Sequence, residues 1–213
     1  MKLYLSSYGL GNHPEELQKL VGDNKLAGVI LNAQDLADTQ KRQDKLDIAN
    51  DEMASLGFEP KEIDLRQYFN KQNELEIQLA KLGLLWIRGG NVFVLQRAMK
   101  MSGFDKKIHS FLTNDQLVYA GFSAGSCAAG PSLHGAELCD DNTTVPEGYA
   151  GEVVWDGLGL IPYSIVPHYR SDHPIFADIE NVVNYFIKHD VAYKTLRDGQ
   201  AIVINGQSEV ITA

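Results

Sequence analysis

Short apolar runs alternate with longer amphipathic segments along most of the chain. Lys2–Ser7, Gly28–Asn32, Phe58–Asp64, Leu84–Arg88 and Leu117–Phe122 read as strands. Pro14–Val21, Asp38–Leu56, Tyr68–Leu82, Asn91–Lys100 and Ile175–His189 repeat apolar positions about every 3.6 residues and read as helices. In Asp38–Leu56 the apolar stripe is Leu46, Ala49, Met53 and Leu56, and the charged face opposite is solvated surface. Strands and helices in this alternation predict βαβ units around a mostly parallel sheet. Four later runs, Ser164–Pro167, Lys194–Leu196, Ala201–Asn205 and Glu209–Thr212, read as further strands. The last three are separated by Asp198-Gly199 and Asn205-Gly206, dipeptides that favour tight turns, so a C-terminal antiparallel meander or hairpin is expected. One long irregular segment, Leu133–Leu160, remains, and a loop of that length in a compact domain usually serves function. With no repeat and no composition break, a single domain over residues 1–213 is expected.

Composition narrows the class. Apolar residues make up 44% and charged residues 22%, which suits a globular core and argues against disorder. A formal net charge of −9 without a basic block argues against nucleic acid as a partner. No apolar run approaches the ~20 residues that span a bilayer, so no membrane partner is expected. Met1–Ser7 reads as a strand rather than a signal peptide. The two cysteines, Cys127 and Cys139, form no CxxC, and a cytoplasmic protein with reduced thiols is expected. They also lack a histidine at zinc-site spacing, so no metal and no cofactor are expected.

The most informative segment joins the strand Leu117–Phe122 to Gly121-Phe122-Ser123-Ala124-Gly125 and then to a run of small residues. Strand, GxSxG and helix start together make a nucleophile elbow, with Ser123 as the nucleophile. Small residues here also permit close helix–strand packing, and a bare GxSxG is common; the flanking elements favour the catalytic reading. Arg88-Gly89-Gly90-Asn91 ends another strand in a glycine pair, with Asn91 suited to cap the next helix. The amides of Gly89 and Gly90, with that of Ala124, are candidates for an oxyanion hole, though an ordinary strand-to-helix turn has the same composition.

A serine needs a base within hydrogen-bond reach. Of six histidines, His168 stands at the C-terminal end of the strand in Ser164-Ile165-Val166-Pro167-His168, where open α/β sheets carry their ligand crevice. His189 closes a helix and reads as structural, His109 and His173 read as surface residues, and His13 lies in a loop that could approach the crevice. For the carboxylate that orients the base, the order of preference is Asp141, Asp140, then Glu137, with Glu209 as a further candidate.

Taken in order, Arg88-Gly89-Gly90-Asn91, Gly121–Gly125 and Ile165-Val166-Pro167-His168-Tyr169 resemble the aspartyl dipeptidase (dipeptidase E) family of serine peptidases, which includes cyanophycinase. Leu5-Ser6-Ser7-Tyr8 and Asp156-Gly157-Leu158-Gly159-Leu160 fit the same pattern. The resemblance implies a flavodoxin-like sheet with helices on both faces, related to class I glutamine amidotransferases. It also implies Ser123 as nucleophile, His168 as base, an acidic residue after the elbow where Asp140 and Asp141 stand, and cleavage of small peptides, in one branch those beginning with aspartate. The stretch between elbow and histidine, including Asn142–Trp155, looks longer than in that branch. Arg88, His134 and Arg170 are the available groups for an acidic substrate side chain, and Asn91 is a further candidate contact. The chain is read as a serine peptidase acting on a small peptide, as monomer or homodimer. The alternatives are an α/β-hydrolase-type esterase or amidase, whose base would be His189, and a non-catalytic small-molecule or peptide-binding module.

Overall fold

The computed structural model describes residues 1–172 and 176–213. His173 and the Ile175 start of the fifth predicted helix lie outside the described residues. In chain order the elements are β1 (Lys2–Ser6), α1 (Pro14–Leu20), β2 (Leu26–Ile30), α2 (Thr39–Ser55), β3 (Glu59–Glu62), α3 (Gln72–Leu79) and β4 (Leu84–Ile87). Next come α4 (Val92–Ser102), α5 (Phe104–Thr113), β5 (Val118–Phe122), α6 (Ala124–Cys127), β6 (Ser164–Val166), α7 (Phe176–Lys188), β7 (Tyr193–Thr195), β8 (Ala201–Asn205) and β9 (Ser208–Ile211).

The main sheet runs β3-β2-β4-β5-β1-β8-β9. Its first five strands are parallel, β8 joins β1 antiparallel, and β9 returns on β8 as a hairpin. Both faces are covered, as the two-residue alternation of each strand requires. Leu3, Leu5, Leu85, Ile87 and Tyr119 enter one core with α3, α4 and α5. Tyr4, Leu84, Trp86, Val118 and Ala120 enter the other with α1 and α2. Trp86 is wholly buried, and truncating such a side chain to alanine costs about 3–5 kcal/mol.

Three expectations change. The predicted helix Tyr68–Leu82 is a 3-10 turn over Leu65–Tyr68 followed by α3, because Asn70 adopts a left-handed φ of 59° between them. After α4 the chain turns at Gly103, φ 74°, into α5, a helix absent from the strand-and-helix reading. Of the expected antiparallel meander or hairpin, the hairpin forms, with β8 and β9 paired across Asn205-Gly206, whereas β7 pairs parallel with β6 in a separate two-stranded sheet. Asp198-Gly199 therefore does not close a hairpin. It is the entry to β8.

That entry fixes the site. β1 pairs Ser6 with Phe122 on one side and with Ala201 on the other. The loops after β1 and β5 and the turn before β8 thus gather at one edge of the sheet, the edge at which ligands bind in open α/β folds.

Candidate active site

Ser123 follows β5 directly and holds φ 50°, ψ −115°, a conformation that L side chains rarely adopt. Its neighbours make this possible. A Cβ on Gly125 would stand 2.3 Å from the Ile87 carbonyl oxygen, and one on Gly121 would stand 3.0 Å from the backbone of Gly125. The Ser126 hydroxyl is buried within 2.8 Å of the carbonyls of Ser6 and Gly121, tying the start of α6 to β1. Ser126 is therefore a fastening of the bend.

His168 Nε2 lies 3.1 Å from Ser123 Oγ. The opposite ring nitrogen, Nδ1, lies 2.8 Å from Asp198 Oδ1. Ser7 locks both partners: its Oγ donates to Asp198 Oδ1 at 2.7 Å and accepts from the His168 N–H at 2.8 Å. The Asp198 N–H is itself held, donating to Ser171 Oγ at 2.8 Å. Gly199, φ 97°, supplies the positive φ of this turn, and the Asn12 amide N–H donates to its carbonyl at 2.8 Å.

The carboxylates ranked from sequence stand elsewhere. Asp141 is exposed, takes the amides and hydroxyls of Thr143 and Thr144, and these hold its carboxyl well below the usual range. Asp140 accepts from the Val92 N–H at 2.8 Å at the start of α4. Glu137 accepts from the Gly135 N–H at 2.6 Å, and Glu209 pairs with Lys194. None of the four meets the imidazole. In the sequence Asp198 is only half of a turn-forming Asp-Gly pair. The missed signal is topological: a strand antiparallel to β1 must begin at the edge where the parallel strands end.

The remaining candidates divide. Gly89 and Gly90 border the serine, where a Cβ on Gly89 would stand 2.9 Å from Ser123 Cβ. Gly90 has φ 146°, and a Cβ there would meet the Ala33 carbonyl oxygen at 2.4 Å. Gln34 Nε2 donates to the Gly89 carbonyl at 2.5 Å, fixing the turn. Asn91 uses both ends of its amide internally, capping α4 through the Val94 N–H and donating to the Asp141 carbonyl at 2.7 Å. Arg88 is buried, with its guanidinium on Glu52 at 3.0 Å and over the Phe122 ring. His134 is stacked on Trp155 with ring centroids 4.4 Å apart. Arg170 pairs loosely with Glu180 at the surface and lines neither cleft at the serine. His13 is half-buried and pairs with Glu15, and His189 lies on the Tyr185 ring and carbonyl.

Two clefts meet at Ser123 and His168. One, bordered by Ile165 and Val182, is apolar; the other holds Tyr8, Gln34, Lys45 and Arg88 beside the glycine pair. Asp140 lines both, and burial pushes its carboxyl up to about 6. Burial also pushes up the thiols of Cys127 and Cys139, the latter to about 12, which keeps both neutral and poor nucleophiles. Among the described residues no group of three His, Cys, Asp or Glu side chains is placed to hold a metal ion.

The profile of peptidase family S51 matches residues 35–212. The chain belongs to peptidase family S51. It is 28% identical over 160 residues to a Listeria monocytogenes protein named "Uncharacterized peptidase Lmo0363", an alignment spanning 75% of this chain and 73% of that one. It is 26% identical over 141 residues to a Drosophila melanogaster protein named "Probable alpha-aspartyl dipeptidase", covering 64% of this chain and only 55% of the relative. The fold matches a Listeria crystal structure ascribed to peptidase E with a TM-score of 0.80, covering 99% of this chain and 97% of that one at 22% identity. Family and fold together make this chain a peptidase with a mostly parallel α/β sheet.

Proposed function

We propose that this family S51 peptidase hydrolyses short peptides through an acyl-enzyme on Ser123. The carrying observation is the line of contacts from Ser123 Oγ to His168 Nε2 at 3.1 Å and from Nδ1 to Asp198 at 2.8 Å. Asp198 accepts a hydrogen bond from Nδ1–H, and that tautomer turns the Nε2 lone pair to the serine proton. Ser123 Oγ attacks the scissile carbonyl carbon while its proton passes to Nε2. The carbonyl oxygen becomes an oxyanion facing the Gly90 and Ala124 amides, at the glycine pair and the first turn of α6. Collapse breaks the C–N bond, and the imidazolium protonates the leaving amine. Water, deprotonated by Nε2, then releases the acid and restores the serine.

The half-buried Asp140 carboxylate spends one oxygen on the Val92 N–H and lines both clefts. We assign it the free α-ammonium of the substrate, which favours dipeptides over protein chains. An esterase built on His189 is not supported, since that ring is engaged by Tyr185. Cys127 and Cys139 are free thiols, which suits a cytoplasmic site of action, and no described helix is long and apolar enough to cross a membrane.

The test is hydrolysis of a dipeptide set by wild type and Ser123→Ala. Loss of a triad nucleophile costs on the order of 10⁶ in kcat in a well-studied serine peptidase, and a comparable loss is expected. Wild-type turnover by Ser123→Ala would end this reading.

A further inference from the structure

The two clefts at Ser123 differ in charge as well as polarity. The first is walled by Leu133, Ile165, Ile179, Val182 and Phe186, contributed by the loop after α6, by β6 and by α7. No Lys or Arg is among its described lining residues. Its ionisable groups are two thiols that burial keeps neutral, the Asp140 carboxylate, His168 already engaged by Ser123 and Asp198, and His134 at the exposed rim. Ser164 adds a buried hydroxyl with no hydrogen-bond partner among the described residues, a neutral group. The basic side chains, Arg88 and Lys45, stand on the second cleft with the glycine pair.

We propose that the apolar cleft receives the side chain of the residue whose carbonyl Ser123 attacks, and that this residue is neutral and apolar rather than aspartate. This rests on the serine-peptidase reading above. A carboxylate moved into such a cleft loses its hydration without gaining a cation, and Asp140 adds a like charge beside it. An aliphatic side chain gains instead, by about 0.8 kcal/mol per buried methylene. In the second cleft the cations Arg88 and Lys45 lie with the glycine pair, on the side of the oxyanion and the leaving half of the peptide. Arg88 there already faces Glu52, and the space beside Gly89 and Gly90 is where the oxyanion forms. The basic rim suits the carboxylate terminus of a short peptide, which every dipeptide carries whatever its first residue.

The experiment compares kcat/KM for Ala-Leu, Val-Leu, Leu-Leu and Asp-Leu at pH 8, where Asp140 is ionised. Labelling of Ser123 by phenylmethanesulfonyl fluoride is read in parallel by mass spectrometry. The expected result is labelled Ser123 and a neutral member cleaved about 100-fold better than Asp-Leu, the scale of an unpaired buried charge. Val182→Lys, which places a cation in the wall, should raise Asp-Leu cleavage relative to the neutral members. Because a lysine there risks the fold, Ile179→Ala serves beside it: the enlarged cleft should shift preference from Ala-Leu towards Leu-Leu and leave Asp-Leu poor.

Preferred cleavage of Asp-Leu with Ser123 labelled overturns this inference and leaves the peptidase reading standing. Labelling without cleavage of any neutral member overturns the inference too. Neither labelling nor cleavage overturns both.

Discussion

Asp198 and Asp140 both reach the neighbourhood of Ser123, one from the turn ahead of β8 and the other from the loop after α6. Asp198 is spent inside the protein. It takes the His168 ring at 2.8 Å and the Ser7 hydroxyl at 2.7 Å, and its own amide is tied to Ser171. Asp140 takes a single backbone N–H and sits where burial pushes its carboxyl up to about 6. A carboxylate surrounded by protein donors orients a neighbour and does little else. One buried at a cleft with capacity to spare is held at a cost to stability and is ready for a cationic ligand. Under the proposed mechanism, the difference separates a positioning charge from a binding charge within one site.

The largest way to break this comparison is Asp198→Asn. The substitution keeps the shape but lets an amide donate towards Nδ1, favouring the wrong imidazole tautomer. A loss of about 10⁴ in kcat is expected, with little change in KM. Steady-state kinetics on a cleaved dipeptide, with circular dichroism as the check on fold, would read it. A rise in KM at constant kcat would instead move Asp198 into substrate binding.

Asp140→Asn should act in the opposite manner. Removing the charge opposite a substrate ammonium should cost about 10–100-fold in kcat/KM at pH 8, chiefly through KM. Wild type should lose the same advantage on its own as pH falls through about 6, where Asp140 takes up a proton. The two KM profiles therefore converge in acid. Stability should move the other way. A folded carboxyl raised above its unfolded value of about 3.9 costs stability as pH climbs from 4 to 6, and the full cost is present above that. Asp140→Asn retains an acceptor for the Val92 N–H and sheds the charge. After discounting for its partial exposure, a gain of about 1 kcal/mol at pH 8 is expected, vanishing near pH 4, as denaturant titrations at the two pH values would show.

The same comparison explains what could be read from the sequence. Ser123 and the glycine pair announce themselves locally, because a strained turn between strand and helix tolerates only small neighbours. His168 was legible through its place at the end of an apolar strand. Asp198 carries no local mark beyond the turn-forming Asp-Gly pair, and its position depends on β8 running antiparallel to β1, a pairing between residues nearly 200 apart in the chain. Asp140 and Asp141 drew attention because they follow the elbow closely, yet proximity in sequence placed one at the head of α4 and the other in its own turn. The sheet was legible in its parallel part, where β1, β2, β4 and β5 are runs buried on both faces, while β3 is an exposed edge strand. β7 was not, since its three half-buried residues give no alternation from which to tell β6 from β8 as partner. α5 escaped because Gly103 joins it to α4 without the polar gap that usually separates elements, although Phe104, Ile108, Phe111 and Leu112 mark its buried face.

The smallest expected effect is at Asp141, and it is informative because it is small. This carboxylate is exposed and closes a turn on Thr143 and Thr144, whose amides and hydroxyls hold it ionised far into acid. Its link to the site is the Asn91 amide, which donates to the Asp141 carbonyl, a backbone group that a side-chain substitution leaves in place. Asp141→Ala should therefore leave kcat/KM within about twofold of wild type from pH 6 to 8. A loss approaching that of Asp198→Asn would show that the loop after the elbow delivers this carboxylate to the imidazole during turnover, and the division of labour between Asp198 and Asp140 would fail with it.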